Sequence, residues 1–382
     1  MKVRLKELGT IFTGNTPSKK VDEYWSNRDI KFIKPDVIKD ELCVISSANE
    51  YISASAKNVS RIVPANSILV TCIGKIGRVG ITEEEVSFNQ QINAIVPNEA
   101  IIPKYLAYAI YANRKQLKAI ANAPVVPIIN KTQFSDFKIS ICESVEKQNK
   151  IVRTLDVISG IITHDKKKIE ALDELIKARF VEMFSCDKSN IRKLSELTET
   201  ITKGTTPTTA GFSFEDDGIN FFKIESITDD HRVNLQKVAH VNEECHSTFK
   251  RSQLKEGDVL FSIAGAIGRT AIIHDKDLPG NTNQALAIIR LKANSNVSRK
   301  YLISALESPE VVEQYRKKKR GVAQMNLSLQ DIGNISIPVP NSTKQSEFEK
   351  FAKQVDKSKF AVQKSLEKTQ LLFDSLMQEY FD

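Results

Sequence analysis

Three pairs of short polar loops carry the side chains that could recognise the edges of nucleic-acid bases. They are Gly14-Asn15-Thr16-Pro17 and Gly204-Thr205-Thr206-Pro207, Gly74-Lys75-Ile76-Gly77-Arg78 and Gly265-Ala266-Ile267-Gly268-Arg269, and Asn89-Gln90-Gln91 and Asn283-Gln284. Amide side chains can pair with an adenine edge, and Arg or Lys can pair with guanine. Each loop also fits an ordinary turn between strands, because Gly, Pro and Asn are good turn residues. Base recognition is therefore a hypothesis about the whole set of loops.

The candidate contacts are the hydroxyl, amide and cationic side chains in and beside these loops. In the first half of the chain they are Thr16, Lys19, Lys34, Lys75, Arg78, Gln90 and Gln91, and in the second half Thr206, Lys223, Arg269, Asn283 and Gln284. Five consecutive cations complete the set, namely Arg316, Lys317, Lys318, Lys319 and Arg320. Five like charges repel one another on an ordinary helix surface, so this run favours contact with phosphates.

The charge balance also indicates a polyanionic partner. The 382 residues include 55 Lys and Arg against 47 Asp and Glu, which gives a net charge of +8. A basic chain with clustered cations is typical of proteins that bind nucleic acid. The alternative is that the excess of lysine only keeps the protein in solution.

Motifs of reaction chemistry are missing from the sequence. It contains no P-loop, no GxGxxG cofactor loop, no HExxH, and none of the Asn/Asp-Pro-Pro-aromatic signature of adenine methylation. The five cysteines are odd in number and scattered, without a CxxC pair, so they predict neither zinc nor disulfides. We expect a non-catalytic chain that binds no metal and no cofactor. The sequence predicts a cytoplasmic protein that does not associate with a membrane. The prediction rests on the cysteine usage, the absence of an apolar run as long as a membrane span and the charged N-terminus.

Two long amphipathic segments must position these loops. Residues 148–184 and 345–381 repeat at an offset of 197, and eight of ten stripe positions are apolar or aromatic in each copy. The spacing is that of one helix face close to a coiled-coil seam, and each helix would be roughly 50 Å long. Because both stripes need a partner, each helix is the natural partner of the other. The predicted stripe residues are Ile151, Leu155, Ile158, Ile162, Ile169, Leu172 and Ile176 in the first copy and Phe348, Val355, Val362, Leu366, Phe373 and Leu376 in the second.

The rest of the chain repeats in the same order. Besides the loops, Leu5-Lys6-Glu7-Leu8 matches residues 194–197, Ile30-Lys31-Phe32-Ile33-Lys34 matches 219–223, residues 88–95 match 281–288, and Ile139-Ser140-Ile141 matches 335–337. The sequence predicts a head-to-tail duplication in the α+β class, with domains at 1–145 and 185–341 and long helices at 146–184 and 342–382. Each domain reads as short strands and one helix, from about residue 104 to 121 and from about 298 to 318.

This organisation resembles the specificity subunit of a type I restriction–modification enzyme. The resemblance rests on the Gly-x-Thr-Pro loops, the Ile-Gly-Arg turns, the run Gln324-Met325-Asn326-Leu327-Ser328 followed by Ile335-Ser336-Ile337-Pro338-Val339-Pro340, and the helices beginning at Gln148 and Gln345. It covers essentially the whole chain. The first copy departs from the pattern, with Pro127-Ile128-Ile129-Asn130-Lys131 in place of Gln-x-Asn-Leu-Ser and Cys142 in place of the proline that ends the strand.

The resemblance implies that each domain is a target-recognition domain that reads one half of a bipartite site in double-stranded DNA. It implies that the two helices pair as an antiparallel coiled coil with pseudo-two-fold symmetry and carry two methyltransferase subunits. Those subunits would bind S-adenosylmethionine and flip out an adenine, and restriction or translocase subunits would be optional additions.

Two other classes of function stay open at this stage. One is a stand-alone enzyme acting on nucleic acid through an unrecognised active site, which turnover of DNA by the purified chain would reveal. The other is a non-catalytic coiled-coil scaffold that binds only protein, which would show no salt-sensitive DNA binding.

Overall fold

The computed structural model describes residues 1–121, 126–185, 190–316 and 326–382. By its packing the chain divides into two compact units, each described by itself below. The first unit comprises Met1–Lys166 with Gln363–Asp382, and the second comprises Lys167–Val362. This division runs through both long helices, whereas the limits predicted from the sequence separate domains from helices. Those limits remain a prediction.

The first half of the chain alternates short strands and short helices before one long helix. In order these are β1 Lys2–Arg4, α1 Leu5–Leu8, β2 Gly9–Thr13, β3 Ile30–Ile33, β4 Cys43–Ile45, β5 Glu50–Ile52, β6 Ile62–Val63, β7 Ile68–Thr71, β8 Val79–Thr82, β9 Val86–Phe88, β10 Ile92–Pro97, α2 Pro103–Ala112, α3 Arg114–Ala119, α4 Lys131–Asp136, β11 Lys138–Ser140 and α5 Val145–Phe184.

Among the described residues, the second half repeats this order with one additional short helix and two fewer strands. Its elements are β12 Ile191–Lys193, α6 Leu194–Leu197, β13 Thr198–Lys203, β14 Ile219–Phe222, β15 Ala239–Val241, α7 Glu243–Thr248, β16 Val259–Ser262, β17 Thr270–Ile272, β18 Gly280–Thr282, β19 Leu286–Leu291, α8 Arg299–Glu307, α9 Pro309–Arg316, α10 Leu329–Gly333, β20 Ser336–Pro338 and α11 Ser342–Phe381.

Within the part of the chain that the structure describes, each unit contains two main sheets and one small ribbon. In the first unit the strand orders are β2-β10-β7-β8-β4, β5-β3-β9-β6 and β1-β11. In the second unit they are β13-β19-β16-β17, β15-β14-β18 and β12-β20. The pairs β3–β9 and β14–β18 are parallel and occupy equivalent places. These sheets confirm the predicted α+β class.

The predicted domain helices are each broken into two. In the second unit α8 ends at Glu307 and α9 begins at Pro309, with Ser308 between them in an extended conformation at φ −63° and ψ 146°. A residue before proline is sterically excluded from the helical region, so Pro309 ends α8. In the first unit the break falls at Asn113, between α2 and α3.

The long helices pack on the domain cores through buried tyrosines. In the first unit Tyr105 of α2 is fully buried, and its ring centre lies 5.2 Å from that of Phe381 of α11. In the second unit Tyr301 of α8 holds the same place, with its ring centre 5.3 Å from that of Phe180 and 5.1 Å from that of Phe184 of α5. Burial of such rings is worth several kcal/mol, about 3–5 kcal/mol per Phe truncated to Ala.

The two helices pair in opposite directions. In the first unit the early part of α5 shares a core with the last turns of α11, which include Phe373. In the second unit the ring of Phe348, near the start of α11, lies 5.4 Å from that of Phe180, near the end of α5. Lys359 Nζ contacts Asp173 Oδ1 at 2.5 Å in the same unit. The start of each helix therefore lies against the end of the other, and the predicted antiparallel coiled coil is confirmed.

Candidate nucleic-acid interface

The Gly-Asn-Thr-Pro loop follows β2 and is held against the end of β9. The amide nitrogen of Gly14 donates to the carbonyl oxygen of Ile92 at 3.1 Å, and that of Asn15 donates to Phe88 at 3.1 Å. A Cβ atom at position 14 would lie 2.1 Å from the carbonyl oxygen of Asn89, so only glycine allows this approach. The loop is therefore fixed by backbone contacts, with Thr16 exposed and Pro17 buried.

Two predicted contact residues meet at this point. Thr16 Oγ1 donates to Gln90 Oε1 at 2.8 Å, and both side chains are exposed. Gln91 is half-buried, and its carbonyl oxygen accepts from the amide nitrogen of Cys72 at 2.8 Å, at the start of the next loop. Residues 14–17, 74–78 and 89–91 are thus neighbours. We call them the first loop surface.

Two predicted cations on this side share one carboxylate. Lys34, which directly follows β3, contacts Glu50, and Lys19 Nζ contacts Glu50 Oε2 at 3.4 Å. The Lys34 ammonium holds the pKa of the Glu50 carboxyl below its usual range, with a smaller contribution from Lys19. Part of the positive charge of these lysines is therefore compensated within the protein.

Arg78 is similarly engaged within the protein. Its Nε donates to Asp40 Oδ1 at 2.7 Å, and its Nη1 lies 3.4 Å from the carbonyl oxygen of Pro35. The guanidinium lowers the pKa of the Asp40 carboxyl, and only 13% of the Arg78 side chain is exposed. Lys75, at the tip of the same turn, is exposed. Arg78 thus joins its turn to the segment that contains Pro35 and Asp40, an arrangement called the Arg–Asp clasp below. Its contact with DNA remains a prediction.

The second unit builds the same surface from residues 204–207, 265–269 and 283–284, which we call the second loop surface. A Cβ atom at Gly204 would lie 1.5 Å from the carbonyl oxygen of Thr282. Thr206 donates to Gln284 Oε1, as Thr16 does to Gln90. Asn283 is half-buried, and its Oδ1 accepts from the amide nitrogen of Ala285 at 3.1 Å.

The cations of the second loop surface are arranged as in the first. Arg269 Nη2 donates to the carbonyl oxygen of Ile227 at 2.6 Å and to Asp229 Oδ1 at 3.0 Å. Lys223, which directly follows β14, lies with its Nζ 4.0 Å from the centre of the Phe214 ring. Arg269 therefore repeats the clasp of Arg78, whereas Lys223 has an aromatic neighbour where Lys34 has Glu50.

The strand pairing corrects the sequence match between residues 88–95 and 281–288 by one position. Phe88 pairs with Ile33 and Thr282 pairs with Phe222, so Phe88 is equivalent to Thr282. The sequence match had placed Phe88 opposite Asn281, because it was anchored on identical small and apolar residues further along the strand. The corrected offset makes Gln90, rather than Gln91, the counterpart of Gln284.

The run of cations begins beside the second loop surface. Arg316 is the last residue of α9 and is exposed. Tyr315 precedes Arg316 in α9. A Cβ atom at Gly268 would lie 2.8 Å from the Tyr315 hydroxyl, so the end of α9 lies next to the turn at residues 265–269. Lys317, Lys318, Lys319 and Arg320 lie outside the described residues, as do Gln324 and Met325.

Sequence reasoning did not single out Asn15 of the first loop surface as a contact residue, and it missed the neighbouring Arg61. The side chain of Asn15 donates from Nδ2 to the carbonyl oxygen of Val59 at 2.7 Å and accepts at Oδ1 from the amide nitrogen of Arg61 at 2.6 Å. Arg61 is exposed, with its guanidinium carbon 5.4 Å from the centre of the Phe12 ring. An arginine next to a short strand is too weak a signal to have identified this contact.

The predicted helix stripes lie in the interior of the units. Leu155, Ile158, Ile162, Phe348, Val355, Val362 and Phe373 are buried, and Ile151, Ile169, Leu172, Ile176, Leu366 and Leu376 are half-buried. Other apolar side chains of the same helices remain exposed. In the first unit these are Val157, Ile161, Leu371 and Leu372, and in the second unit Leu175 and Phe360.

Within the described residues, no helix is long and apolar enough to cross a membrane, and no group of three or more His, Cys, Asp or Glu could hold a metal ion.

Comparison with known proteins identifies the class to which this fold and these surfaces belong. The model of the type I restriction modification DNA specificity domain matches the chain twice, over residues 1–174 and 187–371. The chain belongs to this family. The predicted class, a DNA specificity subunit of a type I restriction–modification system, is thereby confirmed.

Individual relatives agree with this assignment. The specificity subunit of type I restriction enzyme MjaIX from Methanocaldococcus jannaschii is 25% identical over 359 residues, which cover 88% of this chain and 82% of that protein. The EcoR124I/EcoR124II specificity subunit from Escherichia coli is 30% identical over 161 residues, which cover 40% of this chain and 39% of that protein.

Solved structures show the same fold at lower identity. The S subunit of the type I restriction–modification system from M. genitalium is 14% identical with a TM-score of 0.54, and the match covers all of this chain and 96% of that one. A chain from a study of complex assembly and conformational transition of the type I R-M system is 16% identical with a TM-score of 0.61, and the match covers all of this chain and 97% of that one.

Proposed function

We propose that the two loop surfaces read the two halves of a bipartite DNA target, one half each, and that the long helices carry two methyltransferase subunits. One observation carries the proposal: the same three loops meet in both units through equivalent contacts. Thr16 bonds Gln90 in the first unit, and Thr206 bonds Gln284 in the second. A duplicated reader suits a target with two half-sites, as dimeric DNA-binding proteins suit palindromes.

The chemistry of the loop surfaces supports contact with DNA. Gln90 and Gln284 are exposed, and each carboxamide oxygen is held by a threonine hydroxyl, which orients the amide group. An oriented amide can donate to base edges in the major groove. The net charge of +8 and the exposed Lys75 and Arg316 add attraction to phosphates.

In this proposal the chain recognises the target and catalyses no reaction. The methyltransferase subunits bind S-adenosylmethionine and methylate an adenine that is flipped out of the duplex. Restriction and translocase subunits, where present, take their specificity from the same chain. The complex acts on double-stranded DNA, and the scattered, odd-numbered cysteines favour the cytoplasm as its location.

Exposed apolar residues on the long helices support the docking of two partners. Leu372 of α11 is 51% exposed in the first unit, and Leu175 of α5 is 46% exposed in the second. The two residues are equivalent, because they differ by the repeat offset of 197. Large apolar side chains that stay in water are typical of interaction surfaces when they cluster, as Leu371 and Leu372 do. An equivalent site on each helix suggests one methyltransferase subunit per site.

Exchange of one domain tests the proposal. Residues 1–145 are replaced by the corresponding domain of a relative with another specificity, and residues 146–382 are kept. We expect the chimera to assemble with methyltransferase, because most of both helices is unchanged. We also expect it to methylate a site with one half changed, the other half kept and the distance between the halves kept.

The positions of methylated adenines in sequenced DNA decide the outcome. The reciprocal exchange of residues 185–341 is the matched control and should change only the other half-site. A chimera in which both halves change together would show that the two loop surfaces do not read independently. Binding of methyltransferase without any salt-sensitive binding of DNA would instead support a protein scaffold.

A further inference from the structure

The contacts that the two loop surfaces have in common cannot give the two surfaces different specificities. The Thr–Gln hydrogen bond, the glycine approach and the Arg–Asp clasp occur in both. Identical side chains in identical places would select the same bases twice, so a target whose halves differ in sequence needs further contacts. Residues that discriminate must therefore be side chains that one surface has and the other lacks.

Arg61 is such a residue, and Asn15 holds it in place. The Asn15 side chain bonds the backbone on both sides of residue 60, at the carbonyl oxygen of Val59 and the amide nitrogen of Arg61. Ile62 then begins β6 and pairs with Ser87 of β9. Arg61 is thereby brought to the edge of the sheet at which β9 continues into Gln90, on the first loop surface.

The guanidinium of Arg61 is available to a ligand. It lies over the ring of Phe12, and it forms no ion pair with any carboxylate among the residues that the structure describes. This differs from Arg78 and Arg269, which are bound by Asp40 and Asp229. Stacking on a ring leaves the planar edge of a guanidinium free for two parallel hydrogen bonds.

The second loop surface has no cation at this position. The amide nitrogen of Leu254 donates to the carbonyl oxygen of Gly280. In the first unit Val63 pairs with Val86 at the equivalent place, so Leu254 is the counterpart of Val63. Two residues earlier, the counterpart of Arg61 is Ser252, which is only 2% exposed and accepts a hydrogen bond from Asn281 at 2.9 Å. The residue that replaces Asn15 in the loop is Thr205. Arg61 and its support are therefore particular to the first unit.

We propose that Arg61 is a specificity-determining residue that donates two hydrogen bonds to a guanine in the half-site read by the first unit. The N7 and O6 atoms of guanine in the major groove match the two donors of a guanidinium edge. The shared Thr16–Gln90 and Thr206–Gln284 pairs then serve contacts common to both half-sites. This inference rests on the proposed function, because it requires the first loop surface to read one half of the target.

The experiment uses the complete chain assembled with its methyltransferase and a DNA library randomised in both half-sites. The variants are Arg61→Ala and Arg61→Lys. For the wild type we expect a required guanine at one position of one half-site. Arg61→Ala should weaken the preference for that guanine about 5- to 150-fold, the range for loss of one bidentate contact. The other half-site should be unchanged, which also shows that the variant folds and assembles.

The lysine variant and a second arginine sharpen the test. Arg61→Lys keeps the charge but lacks the two-pronged edge, so it should lose much of the guanine preference while retaining affinity. The matched control is Arg28→Ala. Arg28 is also exposed and stacked on a ring, with its guanidinium carbon 4.2 Å from the centre of the Tyr51 ring, but it precedes β3 at the end of the sheet away from Gln90. Its removal should leave both half-sites unchanged.

Two results would overturn the inference and leave the proposed function intact. One is an unaltered first half-site in Arg61→Ala. The other is an equal loss of affinity for all sequences together with a shallower salt dependence, which would make Arg61 a phosphate contact. A wild-type complex that shows no bipartite preference would instead overturn the proposed function itself.

Discussion

At the scale of single residues, a buried glutamine at the base of each long helix joins helix and domain. Gln148 is fully buried, accepts from the amide nitrogen of Ile102 at 2.9 Å and donates to the carbonyl oxygen of Cys142 at 2.8 Å. Gln345 repeats these bonds, to Ser298 at 3.1 Å and Pro340 at 2.9 Å. One side chain thus satisfies two backbone groups on either side of the joint. The helices begin at Val145 and Ser342 rather than at the glutamines, and each glutamine lies in the first turn, three residues after the start.

Removal of the first of these amides should destabilise the first unit. Gln148→Leu leaves one backbone donor and one acceptor of this part-buried joint without partners, and each such group costs up to about 1–3 kcal/mol. The measurement is urea unfolding followed by tryptophan fluorescence, because Trp25, in the first unit, is the single tryptophan of the chain. We expect a lower midpoint for this signal. The matched variant Gln345→Leu, in the second unit, should move it little, and equal shifts for both variants would contradict local joints.

At the scale of elements, Leu175 and Leu372 test the docking role of the long helices. Both side chains are exposed on helices whose other faces are buried, so Leu175→Lys and Leu372→Lys should leave folding unchanged within about 0.5 kcal/mol. A charge at an apolar contact must be desolvated on binding, and we expect each variant to lose one methyltransferase subunit. Native mass spectrometry should find two subunits on the wild type, one on each single variant and none on the double variant.

A control for docking lies on the same helix. Gln363 of α11 is exposed and lies nine residues before Leu372, on the opposite side of the helix, so Gln363→Lys should retain both subunits. Retention of both subunits by the Leu175→Lys, Leu372→Lys double variant would show that the methyltransferase binds elsewhere.

At the scale of the whole molecule, the excess of positive charge should govern affinity for DNA of any sequence. Replacement of residues 316–320 by Ala and Gln removes five of the eight net charges. Phosphate contacts position a protein without specifying bases, so specific and random DNA should lose affinity alike. The slope of log affinity against log salt should become shallower by about 0.9 per lost phosphate contact. Titrations at several KCl concentrations measure both effects.

A matched variant with the same loss of net charge shows whether the position of the 316–320 run matters for affinity. Lys2, Arg4, Lys138, Lys147 and Lys150 are also five exposed cations, and they lie around the β1–β11 ribbon and the start of α5. The ribbon lies at the Pro97 end of β10, whereas the first loop surface lies at the Ile92 end of the same strand. Their replacement should reduce affinity much less. A loss confined to one cognate sequence in the 316–320 variant would show that the run reads bases.

The duplication, the paired long helices and the class of protein were all determined by the sequence alone. These features are local or periodic: an apolar stripe every three to four residues specifies a helix that needs a partner, and repeated loop motifs specify a repeated unit. The break at Pro309 was equally local, but the continuous apolar pattern concealed it. Propensity within one segment is sufficient for such predictions.

Only the tertiary structure decided how the loops meet and which cations remain free. Arg78 is clasped by Asp40, 38 residues earlier, and Arg269 by Asp229, 40 residues earlier. Arg61 owes its place to Asn15, 46 residues away. The equivalence of Gln90 with Gln284 follows from strand register. Such partners are set by backbone hydrogen bonds between distant strands, and residue types along a single segment carry no record of them.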